Sequence, residues 1–322
     1  MERPSTAELM EKLRHAVGLS LVTDGDGWGA DITETATSRP GLLLAGFERG
    51  FDPGRIQILG AEEMHFLDSL DAAARAAAVA RLCVPTVPCI VVAGGAAAPA
   101  DVVAAATESG VPVYASAMDP SRLALDVSSY LDELLAPTVA LHGTLVDVYG
   151  VGLLFTGKSG IGKSECALDL VASGHRLVAD DVVRIKRTPQ GYLVGCGTEL
   201  GMHHMEIRGV GIIDVRSMFG IRAIRQRKRI EVEVKLTRWS DVADCERLGF
   251  DQETTDVLGV RIPVVLLPLV PGKNITVVSE IIALNHLLRV GGVNTAREFG
   301  ARLRRLADAD LPAEAFERSD DE

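Results

Sequence analysis

The chain has 322 residues, 47% hydrophobic and 24% charged, enough apolar material for a packed core and too little compositional bias for a disordered, fibrous or disulfide-scaffold protein. At about 100–200 residues per domain this length predicts two domains. With 33 basic against 44 acidic residues the formal net charge is −11, and aromatic residues make up 4%; sequence-independent attraction to nucleic acid or an anionic membrane is disfavoured, and little is left for base stacking.

From the amino terminus, Ser5 and Glu8 have the spacing of a capping box, with Leu9 and Leu13 following on one face of a first helix. Short apolar runs at 56–59, 89–93 and 111–115 are bounded by Gly or Pro, and Ala-rich helix formers at 71–82 and 101–108 lie between them. That alternation predicts an α/β domain. A helix capped by Asp119, with Pro120 at its first position, should run to about Leu135 and stop at Ala136 and Pro137. The boundary falls there, giving an N-terminal domain 1–136 and a second domain 137–322.

The second domain opens with two strand-like runs, 139–149 and 152–155, separated by a Gly-containing turn, which predicts an antiparallel pair. Ile230, Val232, Val234 and Leu236 alternate with charged residues, the period of a half-buried strand, and 264–267 is another apolar run. Helices are expected at 280–288 and 295–306, then an acidic tail at 308–322. The stretch 82–100 is uncharged but broken by Pro85, Pro88, Gly94, Gly95 and Pro99, so no membrane helix is expected there. Cys83, Cys89, Cys166, Cys196 and Cys245 are odd in number and scattered, which reads as reduced thiols. With no apolar leader behind Glu2 and Arg3, a cytoplasmic protein is expected.

Gly157-Lys158-Ser159-Gly160-Ile161-Gly162-Lys163-Ser164 matches the phosphate-loop pattern between an apolar strand and a helix-like run. The glycines let backbone N–H groups turn toward a polyphosphate, Lys163 would neutralise terminal phosphates, and the Ser164 hydroxyl could ligate Mg²⁺. Beyond the helix, Asp180 and Asp181 end an apolar strand, one suited to Mg²⁺ and one to a proton. As strand neighbours they would point to opposite faces unless the strand stops at that point. His203 and His204 lack His or Cys partners at zinc spacing, so no zinc site is expected.

Taken with Asp180-Asp181, the loop segment 157–165 and Met205-Glu206-Ile207-Arg208-Gly209-Val210-Gly211-Ile212-Ile213-Asp214 resemble the bacterial HPr kinase/phosphorylase family. His142-Gly143, the segment 244–249 containing Arg247, and 268–274 fall in that family's order. Ser38-Arg39-Pro40-Gly41 and Arg55-Ile56-Gln57-Ile58-Leu59-Gly60 are similar to its full-length, two-domain form. The resemblance implies a Mur-ligase-like α/β domain followed by a P-loop kinase domain akin to phosphoenolpyruvate carboxykinase. It also implies ATP-dependent phosphorylation of a serine on the phosphocarrier HPr, and phosphorolysis of that phosphoserine by inorganic phosphate to give pyrophosphate.

Carried onto this chain, residues 157–164 would hold ATP or pyrophosphate, Ser164 and Glu206 Mg²⁺, and Asp181 would exchange the proton. His142, Lys163 and Arg247 complete the implied catalytic set. A homohexamer and a docking role for the 295–306 helix are further implications; by itself that helix reads as an amphipathic element of its own domain. Glu206 and Arg208 by themselves read as a local ion pair. Lys273 stands where the family commonly has Arg, in a loop associated with phosphorolysis. Two alternatives remain: a P-loop small-molecule kinase, against which the 206–214 segment stands, and a nucleotide-gated regulator without turnover.

Overall fold

The computed structural model describes residues 6–24, 29–198, 201–239, 253–270, 272 and 274–308, and the chain divides into two compact units, Met1–Ala136 and Pro137–Glu322. The first unit comprises α1 (Thr6–Val17), β1 (Ser20–Leu21), α2 (Gly41–Leu44), β2 (Gln57–Leu59), α3 (Ala61–Ser69), α4 (Ala72–Leu82), β3 (Ile90–Val92), α5 (Ala100–Glu108), β4 (Val113–Ala115) and α6 (Pro120–Leu135). Its sheet has the order β1-β4-β3-β2, with β2, β3 and β4 parallel and β1 antiparallel at the edge. β2 and β3 are buried throughout, as a parallel sheet covered on both faces requires. Ile58, Val91 and Tyr114 pack with Leu9, Leu13, Leu123 and Val127 on one side; Leu59, Ile90 and Val113 pack with Val79, Leu82 and Val102 on the other.

Local chemistry sets the helix starts. Asp119 accepts from the Ser121 and Arg122 N–H groups with Pro120 beginning α6, and Asp71 accepts from Ala74 N–H to begin α4. α3 escapes the sequence reading because Gly60 caps it without a side chain; Glu63 instead reaches back to the Gly60 N–H at 2.8 Å. Ser5, the expected cap of α1, lies outside the described residues.

The second unit contains β5 (Thr138–His142), β6 (Thr144–Val148), β7 (Val151–Thr156), α7 (Lys163–Ala172), β8 (Arg176–Ala179), β9 (Val182–Arg187), β10 (Leu193–Cys196), β11 (His204–Ile207), β12 (Gly211–Asp214) and α8 (Val215–Phe219). After a 3-10 turn at Ile221–Ala223 come β13 (Arg227–Ile230), β14 (Val232–Arg238), β15 (Thr254–Val257), β16 (Val260–Leu269), α9 (Ile275–Val290) and α10 (Thr295–Asp308). A six-stranded sheet has the order β15-β16-β14-β7-β6-β8, in which β7, β14 and β16 are parallel and β6 is antiparallel to both β7 and β8. A second sheet, β13-β10-β9-β5, and the hairpin β11-β12 complete the strands. Phe155, Val234 and Leu267 pack with Ala167 and Leu170 of α7 and Ala283 of α9, while Leu145, Leu154, Val183, Ile185 and Ile230 fill a second core between strands of the two larger sheets.

The run read as one strand over 139–149 divides at Gly143. There the chain presses on β7, so that a Cβ would stand 2.7 Å from the Phe155 carbonyl oxygen, and β5 departs to pair with β9 while β6 pairs with β7 and β8. The register stays in phase across the break: His142 faces Val182 on one side and Leu145 faces Ala179 on the other. Gly143 and Thr144 are thereby set opposite Asp181 and Asp180.

The alternating run from Ile230 to Leu236 likewise splits, between β13 and β14, at Glu231. The Glu231 N–H donates to the Gly152 carbonyl at 3.0 Å, and its carboxylate accepts from Gly152 N–H at 2.7 Å and from Lys228 Nζ at 2.8 Å. α9 starts earlier than expected, because Asn274 caps it by accepting from Val277 N–H at 3.1 Å, which overrides the weak helix preference of the β-branched residues at 275–278. Among the described cysteines, Cys83, Cys89 and Cys166 are buried free thiols, and burial pushes Cys89 up to about 12; Cys245 lies outside the described residues.

Candidate active site

The loop 157–164 joins β7 to α7, and three glycines give it its path. Gly157, Gly160 and Gly162 have φ of 138°, 72° and 107°, the region that a side chain disfavours. At Gly157 a Cβ would also meet the Leu236 carbonyl oxygen at 2.5 Å. Gly162 occupies the cap position of α7, so the helix begins at Lys163 and its unpaired N–H groups and positive dipole end face the loop. Lys163 is only 6% exposed, and its ammonium donates to the Gly157 and Lys158 carbonyls at 3.2 and 3.3 Å. Burial pulls it below the ordinary lysine value, against the opposing pull of Asp180, Asp181 and Glu165.

β8 stops at Ala179, so the two aspartates are not strand neighbours. Asp181 takes φ of 64°, a costly conformation for a non-glycine residue, and both carboxylates reach one cavity. Asp180 is 8% exposed; its Oδ1 accepts from Thr144 Oγ1 at 2.6 Å and from Ser164 Oγ at 3.0 Å. Burial pushes this carboxyl up and the two hydroxyl bonds draw it back down. Asp181, its side chain 73% exposed, holds Oδ1 3.0 Å from His142 Nδ1, and its carbonyl accepts from Gly143 N–H at 3.0 Å.

The hairpin β11-β12 closes the other side with Glu206 on β11 and Arg208 just beyond it. The Arg208 guanidinium lies against Gly160 where a Cβ would overlap it. The cavity, of about 160 Å³, is lined by His142, Ser159, Gly160, Gly162, Lys163, Ser164, Glu165, Asp180, Asp181, Glu206 and Arg208. Of the residues expected from the sequence, Gly157, Lys158 and Ile161 shape the loop without lining the cavity; Arg247 and Lys273 lie outside the described residues. Thr144 was not foreseen and carries no local signal in the sequence, because its partner Asp180 lies thirty-six residues further along the chain. Arg208 was foreseen only as a partner for Glu206.

The cavity offers oxygen donors in the Ser164 hydroxyl, which is bonded to the Asp180 carboxylate, and in the carboxylate of Glu206, and such donors suit a hard cation. No group of three or more His, Cys, Asp or Glu side chains that could hold a metal ion occurs among the described residues. Mg²⁺ asks for less, usually one or two carboxylates with waters and substrate phosphates, and the residues present fit it.

A glycine loop opening a helix, a lysine inside it, a serine tied to an acidic residue and a second acid paired with histidine together define a phosphoryl-transfer site of the P-loop class. Within that class, the chain belongs to the HPr serine kinase family: the family's N-terminal model matches residues 5–131 and its C-terminal model, described as the HPr Serine kinase C-terminal domain, residues 133–303.

Relatives named HPr kinase/phosphorylase include that of Chloroherpeton thalassium, 44% identical over 90% of this chain and 86% of its own length. That of Geobacter sulfurreducens is 40% identical over 92% and 93%. Among solved structures, the HPr(Ser) kinase/phosphatase of Coxiella burnetii is 30% identical and covers 50% of this chain and 98% of its own, with a TM-score of 0.46. Among the described residues no helix is long and apolar enough to cross a membrane.

Proposed function

We propose that the protein phosphorylates a serine of HPr with ATP and removes that phosphate by phosphorolysis with inorganic phosphate. The observation that carries this reading is the meeting, in one cavity, of Lys163 and Ser164 with the Asp181–His142 pair. In the forward direction the serine oxygen attacks the terminal phosphorus of ATP, Asp181 takes the hydroxyl proton, and ADP leaves. In the reverse direction a phosphate oxygen attacks the phosphoserine phosphorus, the seryl oxygen leaves with the proton returned by Asp181, and pyrophosphate forms.

His142 holds the Asp181 carboxylate in place, and that carboxylate's exposure suits a proton that must pass to and from a protein substrate. Lys163, the loop N–H groups and Arg208 surround the transferring phosphoryl group with positive charge. Ser164 and Glu206, with Asp180 orienting the serine, would hold Mg²⁺, which neutralises phosphate charge when bound. Arg247 is assigned to the catalytic set from its place in the family pattern.

The Mur-ligase-like character of the first unit, the carboxykinase-like character of the second, assembly as a homohexamer and a cytoplasmic location belong to the same proposal. The antiparallel β6-β7 entry to the loop supports the carboxykinase comparison. The test is incubation with ATP, Mg²⁺ and HPr, followed by addition of phosphate. Phosphoserine should appear on HPr and then be lost with stoichiometric release of pyrophosphate; nucleotide binding without transfer would identify a regulator instead.

A further inference from the structure

We infer that Thr144 is a positioning residue that gives the two adjacent aspartates different duties: its hydroxyl fixes Asp180 on Ser164 and leaves Asp181 to exchange the proton. Thr144 is completely buried, and its Oγ1 lies 2.6 Å from Asp180 Oδ1, the oxygen that also accepts from Ser164 at 3.0 Å. An ionised carboxylate only accepts, so both hydroxyls donate to it. The torsion that turns a carboxylate is broad, and a single donor confines its plane only loosely. A second donor, held by a β-branched side chain with restricted χ1 on a strand, selects one orientation.

With its hydrogen committed to Asp180, Ser164 keeps its lone pairs for a cation in the cavity. The partition follows from the in-phase ribbon: His142 and Thr144, alternate residues of one chain, each hold one of the two aspartates. Asp180 is buried with two hydroxyl donors, whereas Asp181 is largely exposed and faces an imidazole.

This inference rests on the reading of the loop as a Mg²⁺–nucleotide site, and the experiment separates the two. Binding of a fluorescent ATP analogue to the full-length protein is titrated with Mg²⁺ for the parent, Thr144→Val and Thr144→Ser, and kcat for HPr phosphorylation is measured for each. Valine keeps the shape and drops the donor, so its half-maximal Mg²⁺ concentration should rise about fivefold, the worth of one modest hydrogen bond. That shift should exceed any change in kcat, and serine should restore the parental value.

A purely structural role would lower the unfolding midpoint and leave the Mg²⁺ midpoint where it was, which overturns the inference. So does a serine variant as impaired as valine, since the methyl group would then be what matters. Thr144→Cys, similar in size with a much weaker donor, carries the same expectation should the valine variant not fold. A parent without Mg²⁺-dependent nucleotide binding overturns the functional reading itself.

Discussion

Replacing Lys163 with methionine keeps most of the stem and removes an ammonium that is 6% exposed and donates to two loop carbonyls at 3.2 and 3.3 Å. Neutral bonds of that length do not make up for lost hydration of a cation, and burial accordingly holds the group below the ordinary lysine value. The unliganded variant should therefore be more stable than the parent by about 1 kcal/mol, or about 2–4 °C in Tm for a domain of this size. A phosphate changes the sign: one unit charge about 4 Å away at an effective dielectric near 20 is worth about 4 kcal/mol, roughly 1000-fold in affinity.

The pH dependence follows from the lowered value. Between the folded and the ordinary lysine values the unfolded chain binds more protons, so parental stability rises with pH across that interval. The advantage of methionine is thus full below the folded value and shrinks as pH rises from there toward the ordinary lysine value. Thermal unfolding of both proteins with and without pyrophosphate, at neutral and alkaline pH, measures each part. A methionine variant less stable than the parent when unliganded, yet still stabilised by pyrophosphate, would refute the reasoning.

Asp181→Asn should slow transfer to HPr by at least about 100-fold for want of a proton acceptor while leaving ATP affinity nearly intact; a parental rate in a quenched phosphorylation assay excludes Asp181 as the base. Arg208→Ala should weaken pyrophosphate binding about tenfold through loss of a charge-assisted contact, with unchanged calorimetric affinity assigning the guanidinium to packing against Gly160 alone. Gly152→Ala should cost about 3 kcal/mol or more in urea denaturation, because a Cβ there overlaps the backbone carbonyl of Arg229 and disturbs the bonds to Glu231. A loss below about 1 kcal/mol would mean that β7 and β13 can separate without penalty.

Elements defined by local chemistry were legible in the sequence: α6 through Asp119 and Pro120, α4 through its alanines, and the loop 157–164 through its glycines. What escaped depends on partners far along the chain. No local signal announces that Gly143 turns β5 into a different sheet from β6, because the reason is the backbone of Phe155 on another strand. The orientation of Asp180 and Asp181 was undecidable from alternation alone, since it turns on β8 ending one residue before them and on Asp181 adopting a left-handed conformation. Arg208 looked like a partner for Glu206 at two-residue spacing, whereas the hairpin β11-β12 carries it to Gly160 nearly fifty residues earlier.

The in-phase ribbon formed by β5-β6 and β8-β9 also governs where the chain can grow. Added length at the turn between β9 and β10, where Thr188 and Tyr192 close a loop through their backbone groups, leaves pairing nearer the cavity untouched. One extra residue between Leu141 and Leu145, or between Val178 and Val183, would put the pairing of His142 with Val182 out of step with that of Leu145 with Ala179. The pairings of His142 with Asp181 and of Thr144 with Asp180 would then be lost. Divergent forms of this site should accordingly vary freely in the outer turn and hold the count of residues across the bend fixed.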